Sequence, residues 1–198
     1  MNAEELLRRY ASRERDFENV DLSGIDLSNV DLSDAKFIYA NFVRTKLINA
    51  NLTNTKLDAA LLHGIELRNA NLRDADLLWV NLTLADLSEA NLSNTRLYDA
   101  SLCDANLTKA NLQNADLTNA NLACADLTEA DLTNADLTNA NLGGADLTKA
   151  RLYNANITGT ILDSLPLNNG RFKSIKIDDI ITWEHLSFRS QSEVKIAE

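Results

Sequence analysis

The feature that most restricts this chain is a period of five that never slips between Phe17 and Leu167. Counted in fives over that span, all 31 positions are Leu, Phe or Ile; 27 are Leu, and the others are Phe17, Phe37, Phe42 and Ile157. Two residues before each lies a small position, which from Ala35 to Thr160 is Ala twenty times, with Thr45, Thr55, Thr95, Thr160, Ile65 and Val80 making up the rest. A polar residue, most often Asp or Asn, sits between the two, and Thr or Ser commonly follows the Leu. An α-helix does not accommodate this spacing, because a step of five turns about 140° beyond a full turn and scatters the leucines around the axis. A continuous strand fails too, since a step of five alternates faces. Within one unit, however, the small residue and the Leu are two apart and share a side. A short extended piece followed by a bend, repeated every five residues, satisfies both facts. The chain then coils about an axis with Ala and Leu inside, as an all-β solenoid.

The recurring A(D/N)LxX, as in Ala120-Asn121-Leu122 and Ala135-Asp136-Leu137, resembles the pentapeptide repeat family over about three quarters of the chain, without insertion. The resemblance implies a right-handed quadrilateral β-helix with four units per 20-residue coil, Leu filling the centre and the small residue lining the wall. Charge placement supports such a coil independently. Glu89, Lys109, Glu129 and Lys149 lie 20 apart with alternating sign, as do Asp26, Lys46 and Glu66, which suits neighbours stacked at about 4.8 Å. Lys36/Lys56 and Asp126/Asp146 run against it as like-charged pairs. The 31 units predict about 7–8 coils over residues 17–167, a rod roughly 35–40 Å long.

A solenoid needs its open ends covered. Residues 1–16 read as an N-terminal α-helical cap: Asn2 can cap a helix, Glu4 and Glu5 suit its first turn, and Leu6, Leu7 and Tyr10 present an apolar face. The stretch from Glu5 to Ala11 is similar to the N-terminal caps of cyanobacterial family members. At the other end Leu165-Pro166-Leu167-Asn168-Asn169-Gly170 reads as a turn. Residues 168–189, apolar at Ile175, Ile177, Ile180, Ile181, Trp183, Leu186 and Phe188, read as a second cap, and 190–198 as a flexible tail.

Chemistry-bearing residues are scarce. No Walker motif, GxGxxG or HExxH occurs. His63 follows a core Leu and faces outward, while His185 falls in the C-terminal cap. The expectation is a non-enzyme with no catalytic residue, no cofactor and no metal site. Cys103 and Cys124, placed on adjacent coils, are expected to remain free thiols, and the start of the chain reads as neither an export signal nor an import presequence, so the expected compartment is the cytoplasm. With 29 acids against 19 Lys and Arg the net charge is -10, which disfavours direct nucleic-acid or anionic-membrane contact. No apolar run approaches the roughly 20 residues needed to span a bilayer.

Two surfaces remain as candidates. On a four-sided coil Ile38, Leu78 and Tyr98 share one outward column, Tyr39 and Trp79 the next, and Leu61 lies at the following corner. Large apolar side chains replacing Thr, Ser and Asn in one place suggest a partner surface. The leading expectation is therefore a non-catalytic protein–protein interaction module, a rigid solenoid that binds a regulatory protein through these six residues. Some cyanobacterial family members contact a transcription regulator, so the resemblance points to a partner of that kind. The second surface comprises Asp116, Asp126, Glu129, Asp131, Asp136 and Asp146. Gyrase-directed family members resemble DNA in shape and charge, so the alternative is a DNA-mimic modulator of a type II topoisomerase (gyrase), dimeric through its C-terminal cap. The sequence leaves the partner's identity and the oligomeric state open.

Overall fold

In the computed structural model, which describes residues 1–161, most five-residue units dispose of their backbone polar groups by one scheme. In residues 121–125, the Asn121 N–H donates to the Ala100 carbonyl one coil back (2.9 Å), and the N–H groups of Leu122 and Cys124 donate to the Asn141 and Gly143 carbonyls one coil on (2.7 and 2.8 Å). The Ala125 N–H closes a turn onto the Leu122 carbonyl (3.0 Å). The fifth donor, the Ala123 N–H, goes to Oδ1 of Asn121 (3.2 Å). The Asp or Asn before each core Leu is therefore structural: its short side chain supplies an acceptor for the amide two residues on.

Each polar residue pairs in parallel with the residue 20 further on, from Asp16 with Lys36 to Asn141 with Ile161. Four sides make one coil, and the chain is a quadrilateral β-helix. Coils are counted here from Asp16 (16–35, 36–55 and so on), and the four sides by Asp16, Asp21, Asp26 and Asp31. Among the described residues each side contributes one bridged residue and no longer strand. The extended pieces expected from the sequence are this short because a turn begins as soon as the Leu has passed.

That turn sets a second requirement. Every corner residue two after a core position, from Asn19 to Gly159, has φ between +53° and +71°, the left-handed region that Gly, Asn and Asp tolerate best. Eleven corners are Asn, four Asp and four Gly; the exceptions are Tyr39, Arg44, Ala59, Trp79, Leu84, Glu89, Lys109, Cys124, Glu129 and Lys149. Positive φ at the third of four residues, with the closing amide-to-carbonyl bond, is the type II turn pattern.

Inside, the leucines and wall alanines are buried along the whole described rod. Wall threonines are tolerated because their hydroxyls find carbonyls: Thr45 Oγ1 bonds Leu22 O (2.6 Å) and Thr95 Oγ1 bonds Leu92 O (2.7 Å). At the N-terminal end Phe37 stacks on Phe17 and meets Phe42 edge-on, with centroids 5.5 and 5.0 Å apart.

Helix α1 (Ala3–Ala11) starts where Asn2 accepts the Glu5 N–H (2.8 Å). Glu4 and Glu5 occupy its first turn, and Arg8 and Arg9 its last, matching the helix dipole. It buries Leu6 completely in the core cluster, packs Leu7 and Tyr10 against it, and fixes its end with a Tyr10 hydroxyl bond to the Ser33 carbonyl (2.9 Å). The expected C-terminal cap (168–189), tail (190–198), final units (162–167) and His185 lie outside the described residues.

Candidate partner-binding surface

The fold asks for Asp or Asn before each core residue and for Asn, Asp or Gly at each corner. Departures from both requirements concentrate in one region. The first is broken at Lys36, Lys46, Lys56, Leu61, Glu66, Arg96 and Ser101, and otherwise only at Arg151 and Ile161 among the described residues. At the corners, Tyr39, Ala59 and Trp79 occupy one edge of the second side and Arg44 and Leu84 the other, all in the second to fourth coils. Four of the remaining five exceptions, Glu89, Lys109, Glu129 and Lys149, form the alternating charge column. Lys149 Nζ sits 2.9 Å from the Glu129 carboxylate, and that contact holds the Glu129 pKa down.

Of the six residues expected to form a partner surface, five stack in two adjacent columns, while Leu61 lies not at a corner but in the middle of the second side, bridged to Asn41 and Asn81. Coil-to-coil bonds from Tyr39 N to Asp58 O (3.1 Å), Ala59 N to Leu78 O (2.8 Å) and Trp79 N to Tyr98 O (3.1 Å) stack the two columns. Ile38, Leu78 and Tyr98 are half-buried. Tyr39 is 64% exposed, Trp79 58% and Leu61 50%, so these side chains contribute little to the rod's own packing. Sequence reasoning missed Leu84, 56% exposed at φ +60°, and Arg44 at φ +56°. They stand across the second side from Tyr39 and Trp79. Their signal was present: each is a bulky residue where the repeat otherwise spells Asn, Asp or Gly.

The acidic candidates are not gathered on one side. Asp116 and Asp136 are bridge partners on the first side, Asp126 and Asp146 on the third, and Asp131 lies on the fourth. Asp131 faces Arg151 at 3.0 Å, and Glu129 faces Lys149. All five aspartates accept the N–H of the Thr two residues on, at 2.9–3.0 Å. They serve the turn scheme.

One carboxylate lies within the apolar surface. Asp58 separates Ile38 from Leu78 and accepts the Leu78 N–H at 3.3 Å. Burial pushes its pKa up, and Asp76 nearby adds to the rise. Its folded-state pKa lies above its unfolded one, so ionised Asp58 opposes folding once pH exceeds both values and contributes nothing below them. Asp58→Asn keeps the acceptor and should raise the unfolding midpoint at pH 7 but not at pH 3. Equal shifts at the two pH values in urea titrations would refute this.

His63 is half-buried on the surface, and Cys103 and Cys124 are free. Among the described residues no group of His, Cys, Asp and Glu is arranged to hold a metal, and no helix is long and apolar enough to cross a membrane.

The sequence profile described as pentapeptide repeats matches residues 16–54, 50–88, 85–122 and 125–163. No curated protein matches the chain. Among solved structures it is similar to HetL, a pentapeptide repeat protein involved in heterocyst differentiation regulation from the cyanobacterium Nostoc sp. strain PCC 7120, with 32% identity over 83% of this chain and 94% of that one (TM-score 0.30). A pentapeptide repeat protein of the Arabidopsis thaliana thylakoid lumen shares 29% identity over 51% of this chain and 67% of its own (TM-score 0.41). Full-length QnrB1, a plasmid-mediated fluoroquinolone resistance protein, shares 20% over 83% of each chain (TM-score 0.50). With the five-residue scheme, the 20-residue register and the profile match in agreement, the chain belongs to the pentapeptide repeat family, whose fold is a right-handed quadrilateral β-helix.

Proposed function

We propose that this protein is a non-catalytic interaction module of the cytoplasm whose second side binds a regulatory protein through Ile38, Tyr39, Leu61, Leu78, Trp79, Leu84 and Tyr98. The observation that carries the reading is the coincidence of exposed apolar side chains with left-handed corners. Left-handed backbone disfavours an ordinary side chain by roughly 1–2 kcal/mol, and Tyr39, Trp79 and Leu84 gain little burial in return. Residues that disobey a fold's local requirements without structural compensation mark functional sites. In the same reading α1, within residues 1–16, covers the N-terminal end of the solenoid.

DNA mimicry directed at gyrase has weaker support, since its acids are spread over three sides and bonded to their own turns. Affinity capture from native lysate at moderate salt, using wild type beside Leu78→Asp/Trp79→Ala, tests the proposal. A partner held by wild type and lost by a variant with unchanged circular dichroism is expected. Full retention by the folded variant would overturn the apolar site, and a topoisomerase lost with salt yet indifferent to the mutations would favour mimicry.

A further inference from the structure

The interaction reading leaves open the chemistry of the bound partner, and the charges around the surface narrow it. The chain carries a net charge of -10, yet residues 36–55, the second coil, contain Lys36, Arg44 and Lys46 and no Asp or Glu. The coil before it has the opposite character: residues 16–35 hold Asp16, Glu18, Asp21, Asp26, Asp31 and Asp34 and no base. Following the second coil from the first side, across the second and onto the third, the order is Lys36, Ile38, Tyr39, Asn41, Val43, Arg44, Lys46. Apolar residues are thus bracketed by cations, and Lys56 extends the first bracket into the third coil. All four cations are exposed. Among the described residues none of Lys36, Arg44 and Lys46 forms an ion pair, while Lys56 lies 3.8 Å from an Asp76 carboxylate that Arg96 also engages at 3.1 Å.

Three of these cations break the requirement for Asp or Asn before a core residue. Lys46 stacks between Asp26 and Glu66, Lys36 on Asp16 and Lys56 against Asp76, so cross-coil charge accounts for them in part. Arg44 breaks the corner requirement with no acid one coil below or above it in its column. The surroundings of Arg44 leave it open to approach. It stands in a corner column between Gly24 and Gly64. A Cβ built at Gly64 would lie 3.6 Å from Arg44 Cγ, and one built at Gly24 would meet nothing within 4 Å. In this corner column no side chain stands one coil below or one coil above Arg44. The acids around this surface are Asp58 among the apolar residues, Asp16, Asp21 and Asp26 one coil below Lys36, Asn41 and Lys46, Asp76 one coil above Lys56, and Glu66 and Asp86 one and two coils above Lys46.

We propose that the second side of the second to fourth coils binds an acidic segment of a partner protein. Its aromatic or aliphatic side chains lie over Leu61, Leu78, Trp79 and Leu84, and its Asp or Glu residues meet Lys36, Arg44, Lys46 and Lys56. This rests on the interaction reading and adds the partner's chemistry. Exposed Lys and Arg alone bind carboxylates weakly; beside a desolvated apolar contact they steer encounter and fix register. A basic segment docking on the same residues would set like charges against each other.

The test is selection of a random phage-displayed peptide library on the immobilised full-length protein at moderate salt. Enriched peptides should combine Asp and Glu with Trp, Phe, Leu or Ile. A representative synthetic peptide should bind Arg44→Glu/Lys46→Glu about tenfold or more weakly than wild type, and its binding to Leu78→Asp/Trp79→Ala should vanish. The charge reversal is compatible with its corner, since Glu89 and Glu129 occupy the same backbone conformation, and thermal melts of each variant verify folding. Neutral or basic peptides lost with Leu78→Asp/Trp79→Ala but indifferent to the reversal would overturn the acidic partner and leave the apolar site standing. No enrichment, or equal binding to every folded variant, would overturn both.

Discussion

Ala130→Trp is expected to destabilise the rod by more than about 3 kcal/mol, the upper range for overpacking a filled interior. Ala130 is completely buried in the wall, its N–H bonded to Leu127 O (3.0 Å) and its carbonyl to Arg151 N (2.9 Å). An indole there can enter only by displacing leucines or by breaking the bonds to the next coil. Stability in a solenoid is passed between neighbouring coils, so one failed coil separates the rod into two weaker pieces. Urea unfolding should show a much lower midpoint, a second transition, or both. Thr133→Lys, three residues away, serves as control. It loses a hydroxyl bond to Asp131 (2.6 Å) but keeps the backbone N–H bond to the same carboxylate (3.0 Å), and should change stability by less than about 1 kcal/mol. If Ala130→Trp unfolds no more easily than that control, the wall is not close-packed against the leucines.

The triple substitution Tyr39→Asn/Trp79→Asn/Leu84→Asn is expected to do what surface mutations seldom do, and stabilise the protein. All three side chains are more than half exposed, and all three residues hold positive φ. Asn relieves a backbone penalty of about 1 kcal/mol per site, less the packing lost beneath each side chain. It also introduces amides that can join ladders like that running from Asn134 to Asn114 (3.1 Å) and from Asn114 to Asn94 (3.0 Å). Each kcal/mol gained raises the melting temperature of a chain of this size by about 2–4 °C. The same three changes should abolish partner and peptide binding. Gain of stability with loss of binding separates a functional side chain from a structural one.

How far the sequence disclosed these features depended on which requirement each residue meets. The buried Leu and Ala positions repeat without a slip, so the coil, its 20-residue register and the columns of Ile38, Leu78, Tyr98, Tyr39 and Trp79 follow from counting. Asn2, Glu4, Glu5 and Leu6 announce α1 by capping, dipole and burial. Two features needed coordinates. The use of the Asp or Asn side chain by the amide two residues on, as at Asn121 and Ala123, is a bond geometry that composition does not show. The left-handed corner is masked because Asn there looks like any polar surface residue; with φ known, Arg44 and Leu84 become anomalies equal to Trp79. The same holds for the acidic candidates: Asp116, Asp126, Asp131, Asp136 and Asp146 read from sequence as surface charge alone, and only the coordinates show that each also accepts the amide of the Thr two residues on.

The central claim is that the second side of the second to fourth coils is kept apolar for binding, against the preference of the fold. Calorimetric melting of wild type beside Tyr39→Asn/Trp79→Asn/Leu84→Asn tests it most directly. The account predicts a higher melting temperature for the triple variant. A clearly lower one would show that these side chains hold the rod together, and would contradict it.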